Sequence, residues 1–251
     1  MKKVYFIGAG PGDPELLTLK SKKLIDKADV IIYAGSLVNP EVYKDKKVSA
    51  KVYNSASLHL EEVIEIMVKA VSQNKAVARI HTGDPSIYGA IQEQMDILNK
   101  HNIDYEVVPG VSSFTASAAA IKREFTLPGV TQTVICTRLE GRTPVPEQEQ
   151  LELLAAHQAS MAIFLSVHMI EEVVNRLLKH YNKETPVAIV QRATWADEKV
   201  IISTLSDIAN KAKQHNITKT AQILVGDFIN CDYQRSKLYD KAFSHMFRQG
   251  V

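Results

Sequence analysis

The sequence predicts an α/β protein of two domains. Three observations carry this: short β-branched strands alternate with amphipathic helices, glycine-containing turns close several of those strands, and a proline- and glycine-rich stretch interrupts the pattern near the middle. A chain of 251 residues is long enough for two cores of ordinary size. Its apolar fraction of 45% and charged fraction of 23% are those of a globular protein and point to neither a disordered nor a collagen-like class.

Val4 to Ile7 is a β-branched and aromatic run closed by glycines. Leu16, Leu17, Leu24 and Ile25 then recur at helical spacing within Glu15 to Lys27, which reads as strand, loop, helix. Asp29 to Tyr33 predicts a second strand, Leu60 to Val71 an amphipathic helix, and Ala76 to Ile80 a third strand that runs into His81-Thr82-Gly83-Asp84-Pro85. Tyr88 to Leu98 reads as helix, Tyr105 to Val108 as strand, and Val111 to Ile121 as an alanine-rich helix entered through Pro109-Gly110. Such alternation predicts a mostly parallel sheet covered on both faces.

From Leu127 to Pro146 the prolines and glycines break the pattern and place the domain boundary. The second half offers strands at Thr133 to Thr137, Met161 to Leu165, Pro186 to Val190, Val200 to Ser203 and Gln222 to Val225, with helices at Ile170 to His180 and Asp207 to His215. The expected organisation is therefore a first α/β domain over 1–128, a second over 129–230, and a polar tail over 231–251.

Charge and cysteine usage narrow the function. A net charge of +2, from 30 basic and 28 acidic residues spread along the chain, gives no basic block for nucleic acid. Cys136 and Cys231 stand apart from each other and from any CxxC pattern, so they read as plain thiols and no metal site is expected. His59 with Glu61 and Glu62 reads as a helix start, because no further ligand lies at suitable spacing. The apolar run at Val4 to Ile7 is too short for a signal peptide and no long apolar run follows, so a cytoplasmic protein without a membrane partner is expected.

Gly8-Ala9-Gly10-Pro11-Gly12-Asp13-Pro14 looks at first like a dinucleotide fingerprint, but Asp13 stands where that fingerprint needs its third glycine. Ala34-Gly35-Ser36 likewise stands where the second strand would end in a carboxylate. Both departures count against a dinucleotide-dependent oxidoreductase. Thr82-Gly83-Asp84-Pro85 and Pro109-Gly110-Val111-Ser112-Ser113 follow the next strands, where open parallel sheets place ligands. Asp84 is either a helix cap or a ligand contact, and Trp195 reads as packing, with an aromatic platform as its alternative.

In order and spacing, Gly8 to Thr18, Gly83-Asp84-Pro85 and Pro109 to Ser113 resemble the tetrapyrrole methylase family. Tyr33 to Val38, His81 to Ala90 and Thr131 to Glu147 resemble its branch that methylates precorrin-4 at carbon 11, with the cobalt complex slightly favoured as substrate. Thr82 before Gly83, and Gly89-Ala90 after Tyr88, depart from the uroporphyrinogen III branch. The resemblance implies two α/β domains with an inter-domain cleft, a homodimer, S-adenosylmethionine as methyl donor and a carboxylate-rich tetrapyrrole as substrate in cobalamin biosynthesis. It further implies donor contacts at Pro11, Thr82, Gly83, Asp84, Ile87, Ser112 and Ser113 in the first domain and at Leu165, Ala193 and Ala221 in the second. Arg138 and Arg142 are natural carboxylate holders or else solvated loop arginines. His81, Tyr88, Glu140 or water would take the proton released after methylation. A precorrin methylase acting at another carbon, and a nucleotide-binding module without catalysis, remain as alternatives.

Overall fold

The computed structural model describes residues 3–250, which form two compact units, each with its own five-stranded sheet. The first unit runs to Ala116 and also takes in Arg192–Asp197. Its strands are β1 (Val4–Gly8), β2 (Val30–Tyr33), β3 (Lys51–Asn54), β4 (Val77–His81) and β5 (Tyr105–Val108), all parallel, in the spatial order β3-β2-β4-β1-β5. Period-2 alternation sends Ile7, Ile31, Ala78, Ile80 and Val108 to one face, where Ile25 of α1 (Leu19–Lys27) packs on them. Val4, Phe6, Val30, Ile32 and Val77 face the other way, against Met67 of α2 (Leu60–Ser72) and Leu98 of α3 (Gln92–Lys100). The sheet is thus buried on both faces, as its near-continuous apolar strands require.

Local signals fix the helix starts. Thr18 caps α1 by accepting from Ser21 N at 3.0 Å. His59 and Glu62 form a reciprocal capping box on α2, with Glu62 Oε2 accepting from His59 N at 3.0 Å, so this cluster is a helix start. The helix read from Tyr88 begins only at Gln92, because Tyr88 and Ala90 hold φ values of 55° and 49°, which no helix accommodates.

The second unit comprises Ser117–Gln191 and the chain from Glu198 onward. Strands β6 (Val134–Arg138), β7 (Ser160–Phe164), β8 (Pro186–Gln191), β9 (Lys199–Thr204) and β10 (Ala221–Val225) lie in the order β6-β7-β10-β8-β9. β6 and β7 are parallel and the other pairs antiparallel, a mixed sheet. Helices α5 (Leu151–Ala155), α6 (Ile170–Leu177) and α7 (Ile208–Gln214) close one core over Met161, Ile163, Ile189 and Ile223.

The division falls at Ala116/Ser117, within the remaining helix α4 (Ser113–Ala120), whereas the proline- and glycine-rich stretch suggested the break after 128. The reason is that residues after α4 are tied to the second core: Ser160 Oγ donates to Phe125 O at 2.9 Å, Arg123 Nε donates to Ile229 O at 2.6 Å, and the rings of Phe125 and Phe228 stand 4.8 Å apart. The tail after 230 also takes shape, since one Arg248 nitrogen donates to the carbonyls of Leu238 and Asp240 at 2.8 and 2.6 Å.

Candidate functional site

The carboxyl ends of β4, β1 and β5 are adjacent in the sheet, and their three glycine-containing loops are bonded to one another. Ala9 N donates to His81 O at 2.8 Å, and Gly10 and Gly83 pair as an isolated bridge through bonds of 3.2 and 2.8 Å. The Asp84 carboxylate joins the third loop: its Oδ2 accepts from Gly110 N at 2.9 Å, while Oδ1 accepts from Ser86 N at 2.8 Å and from the Ser86 hydroxyl. Burial pushes the Asp84 carboxyl up, but the bonds from Ser86 and Gly110 outweigh it and hold the group below its usual range. Asp84 is therefore a stitch between loops.

Glycine is required here by backbone crowding. A Cβ on Gly8 would lie 2.6 Å from Gly110 Cα and 2.7 Å from Gly83 O. Gly83 differs, since its Cβ would meet only ordinary contacts, the nearest Ser112 Cα at 3.6 Å, but its φ of 61° strains any other residue.

The other residues singled out in the first unit gather around these loops. Pro11 is buried, Thr82 and Ile87 are half-buried beside Gly83 and Asp84, and Ser112 and the half-buried Ser113 open α4, where Ser112 O accepts from Ala116 N at 3.1 Å. Ala193 also belongs to this unit, because Arg192–Asp197 packs on the first loop: Asp13 N donates to Thr194 Oγ1 at 2.9 Å, and Trp195 Nε1 donates to Pro11 O at 2.9 Å. Asn39 Nδ2 completes the clamp with a bond to Gly12 O at 2.9 Å.

Beneath the loops lies a polar cluster with one plain signal in the sequence, a charged residue inside the apolar strand Val77-Ala78-Arg79-Ile80. Arg79 is buried, and its guanidinium donates to Gln94 Oε1 at 3.2 Å and Ser55 Oγ at 2.9 Å; burial lowers its pKa to about 10, so it stays charged. Gln94 in turn donates to Ala90 O at 2.8 Å, and Ser55 Oγ donates to Tyr33 O at 3.1 Å, which ties both flanking loops to Arg79. His81 is buried, its Nε2 has no partner among the described residues, and burial, together with the Arg79 charge, lowers its pKa to about 3. A ring so disfavoured for protonation is a poor proton acceptor. Tyr88 is exposed at 46%, on the strained turn after Pro85.

In the second unit Leu165 follows β7, is exposed at 62% and holds φ at 55°, while Ala221 opens β10 half-buried. Arg138 closes β6, and its guanidinium turns onto its own loop: Nη1 donates to Leu139 O at 3.3 Å and Thr143 O at 3.2 Å, Nη2 to Pro144 O at 2.6 Å. Arg142 is exposed on the loop so shaped. Glu140 pairs with Arg176, whose bond holds its carboxyl low, so it too is a weak base. A cavity of about 480 Å³ in this unit, lined by His168, Glu171, Lys213 and Asn216 among others, contains none of these residues. Among the described residues no helix is long and apolar enough to cross a membrane, and no cluster of three or more His, Cys, Asp or Glu could hold a metal ion.

Known proteins resemble this chain over nearly its whole length. The family model described as tetrapyrrole (corrin/porphyrin) methylases matches residues 3–209. A cobalt-precorrin-4 C(11)-methyltransferase of Methanocaldococcus jannaschii is 58% identical over 99% of this chain and 96% of its own length. The X-ray structure of a cobalt precorrin-4 methyltransferase, a cobalamin biosynthetic enzyme, superposes with a TM-score of 0.89 at 46% identity, covering 91% of this chain and 96% of the other. A uroporphyrin-III C-methyltransferase from Thermus thermophilus, complexed with S-adenosylhomocysteine, aligns with a TM-score of 0.75 at 26% identity over 90% of this chain and 98% of its own.

Proposed function

Because this chain belongs to the tetrapyrrole methylase family, we infer that it is a cobalt-precorrin-4 C11-methyltransferase, which moves a methyl group from S-adenosylmethionine to a ring carbon of a tetrapyrrole in cobalamin biosynthesis. The near full-length identity to the Methanocaldococcus jannaschii enzyme carries this reading. The test is incubation with S-adenosylmethionine and cobalt-precorrin-4, or precorrin-4, followed by mass spectrometry. One methyl gained on the cobalt complex supports the reading, and an unchanged mass for both substrates refutes it.

The first-unit loops suit the donor. Pro11, Thr82, Gly83, Asp84, Ile87, Ser112, Ser113 and Ala193 offer backbone groups, hydroxyls, small apolar surface and one carboxylate, with no cationic side chain among them to repel a sulfonium. In this proposal Asp84 acts by holding the Gly83 and Gly110 loops at fixed spacing, because both its oxygens are already engaged. Donor contact by Leu165 and Ala221 rests on the family resemblance alone.

When bound, S-adenosylmethionine supplies an activated methyl whose sulfur leaves as a neutral thioether. The protein's task is then to align the ring carbon in line with that methyl at about 3–3.5 Å and to keep water away. The peripheral carboxylates of the tetrapyrrole need fixed cations, and the exposed Arg142 fits that role. Arg138 contributes indirectly, by bonding the carbonyls that shape the Arg142 loop. For the proton released after methylation, His81 and Glu140 are poorly suited, and Tyr88 could accept it only as its phenolate, which leaves water as the acceptor available at neutral pH. A homodimer in the cytoplasm completes the proposal, and sedimentation of the purified chain tests the dimer.

A further inference from the structure

We propose that Trp195 is a positioning residue for methyl-donor binding, through its hold on the Pro11-Gly12 turn, so that donor occupancy changes the indole's surroundings. The proposal rests on the reading of Pro11 as a donor contact and names what keeps that contact in place. Trp195 Nε1 donates to Pro11 O at 2.9 Å. The ring also fills the space beside Gly12: a Cβ there would overlap indole Cδ1 and Nε1 and lie 2.8 Å from Cγ. Gly12 and Trp195 are therefore matched, each requiring the other's shape.

The loop that presents the indole is strained and held on several sides. Arg192 and Thr194 have φ values of 51° and 68°, a conformation that persists only where surrounding contacts dictate it. The Arg192 guanidinium lies 3.8 Å from the indole centroid and donates to Asp197 Oδ1 at 2.6 Å. Thr194 Oγ1 accepts from Asp13 N, one residue beyond Gly12. With Arg192 against the ring and Pro11 on its N–H, the indole is committed to the turn, which sets aside an aromatic platform for the macrocycle. A turn held in this way is pre-organised, so less ordering is left for the donor to impose.

Trp195 is the only tryptophan of the chain, so indole emission comes from this one site. S-adenosylhomocysteine would be titrated into the full-length protein, with emission and calorimetry recorded in parallel. The expected result is an emission change that saturates with the calorimetric dissociation constant. Trp195→Phe keeps a ring against Gly12 but loses the N–H, and should weaken S-adenosylhomocysteine about three- to tenfold, with the Michaelis constant for the tetrapyrrole unchanged. Emission that stays flat while calorimetry registers binding overturns the proposal, as does unaltered donor affinity in Trp195→Phe. The wild-type titration decides the matter even if that variant does not fold. A wild-type protein that shows no calorimetric binding fails at the donor reading itself, which separates the two failures.

Discussion

Replacing Asp84 by asparagine should loosen the loops at the carboxyl end of the first sheet without removing any apolar contact. The asparagine carbonyl can still accept from Ser86, but its amide would face the Gly110 N–H, donor against donor, where the carboxylate accepts at 2.9 Å. A hydrogen bond to a charged acceptor contributes about 1.5–3 kcal/mol, and the half-buried setting of Asp84 argues for the lower end, about 1.5–2 kcal/mol. For a domain of this size that lowers the melting temperature by roughly 3–8 °C. If the loss falls instead on ordering the loops for the ligand, the donor dissociation constant rises by about ten- to thirtyfold. The assay is calorimetry with both S-adenosylmethionine and S-adenosylhomocysteine, alongside thermal melting. Because Asp84 is read as an anchor, the cationic and neutral ligands should weaken equally. Wild-type melting with wild-type affinity for both would refute the anchoring, and a loss confined to S-adenosylmethionine would show that the charge acts on the sulfonium.

Further outcomes follow from other parts of the site. Gly83→Ala should cost about 1–2 kcal/mol through its φ of 61°, whereas Gly110→Ala should cost more, because its Cβ would meet Gly83 O and lie 2.8 Å from Gly8 Cα; denaturant midpoints rank the two. Arg142→Ala should raise the Michaelis constant for the tetrapyrrole about ten- to a hundredfold and leave S-adenosylhomocysteine affinity near wild type, and wild-type tetrapyrrole kinetics would free this loop from substrate. His81 is neutral in the folded protein down to a pKa of about 3, while in the unfolded chain it takes a proton near pH 6.5. Its contribution to stability is therefore full above pH 6.5 and declines toward pH 3, by at most about 1.4 kcal/mol per pH unit. His81→Gln should flatten the fall in melting temperature between pH 6 and about 4, and an unchanged slope would place the lost protonation elsewhere.

Much of the first unit was legible because its strands carry their own period and end in glycines. β3 was not, since Lys51–Asn54 is short and largely exposed at a sheet edge, with little apolar pattern. The mixed sheet of the second unit was equally hidden, because strand direction depends on pairing partners far apart in sequence, such as Ala221 with Gln191. Asp84 could be read as a cap or a ligand contact, but its bond to Gly110 spans 26 residues and no local pattern announces it. Asn39 and Thr194 lay outside the reading for the same reason, and Trp195, read as packing, gave no sign of its partner, because it reaches Pro11 across 184 residues. Arg79 went unread although a charge in an apolar strand is a signal, and its link through Gln94 to the Ala90 carbonyl needed the packing of α3.

The most direct test of the account is the position of the transferred methyl. S-adenosylmethionine carrying a carbon-13 label in its methyl group would be supplied with cobalt-precorrin-4 and the purified chain, and the product read by carbon nuclear magnetic resonance. A single labelled methyl bonded to carbon 11 is expected. A label on any other ring carbon, or no label in the tetrapyrrole, would contradict it.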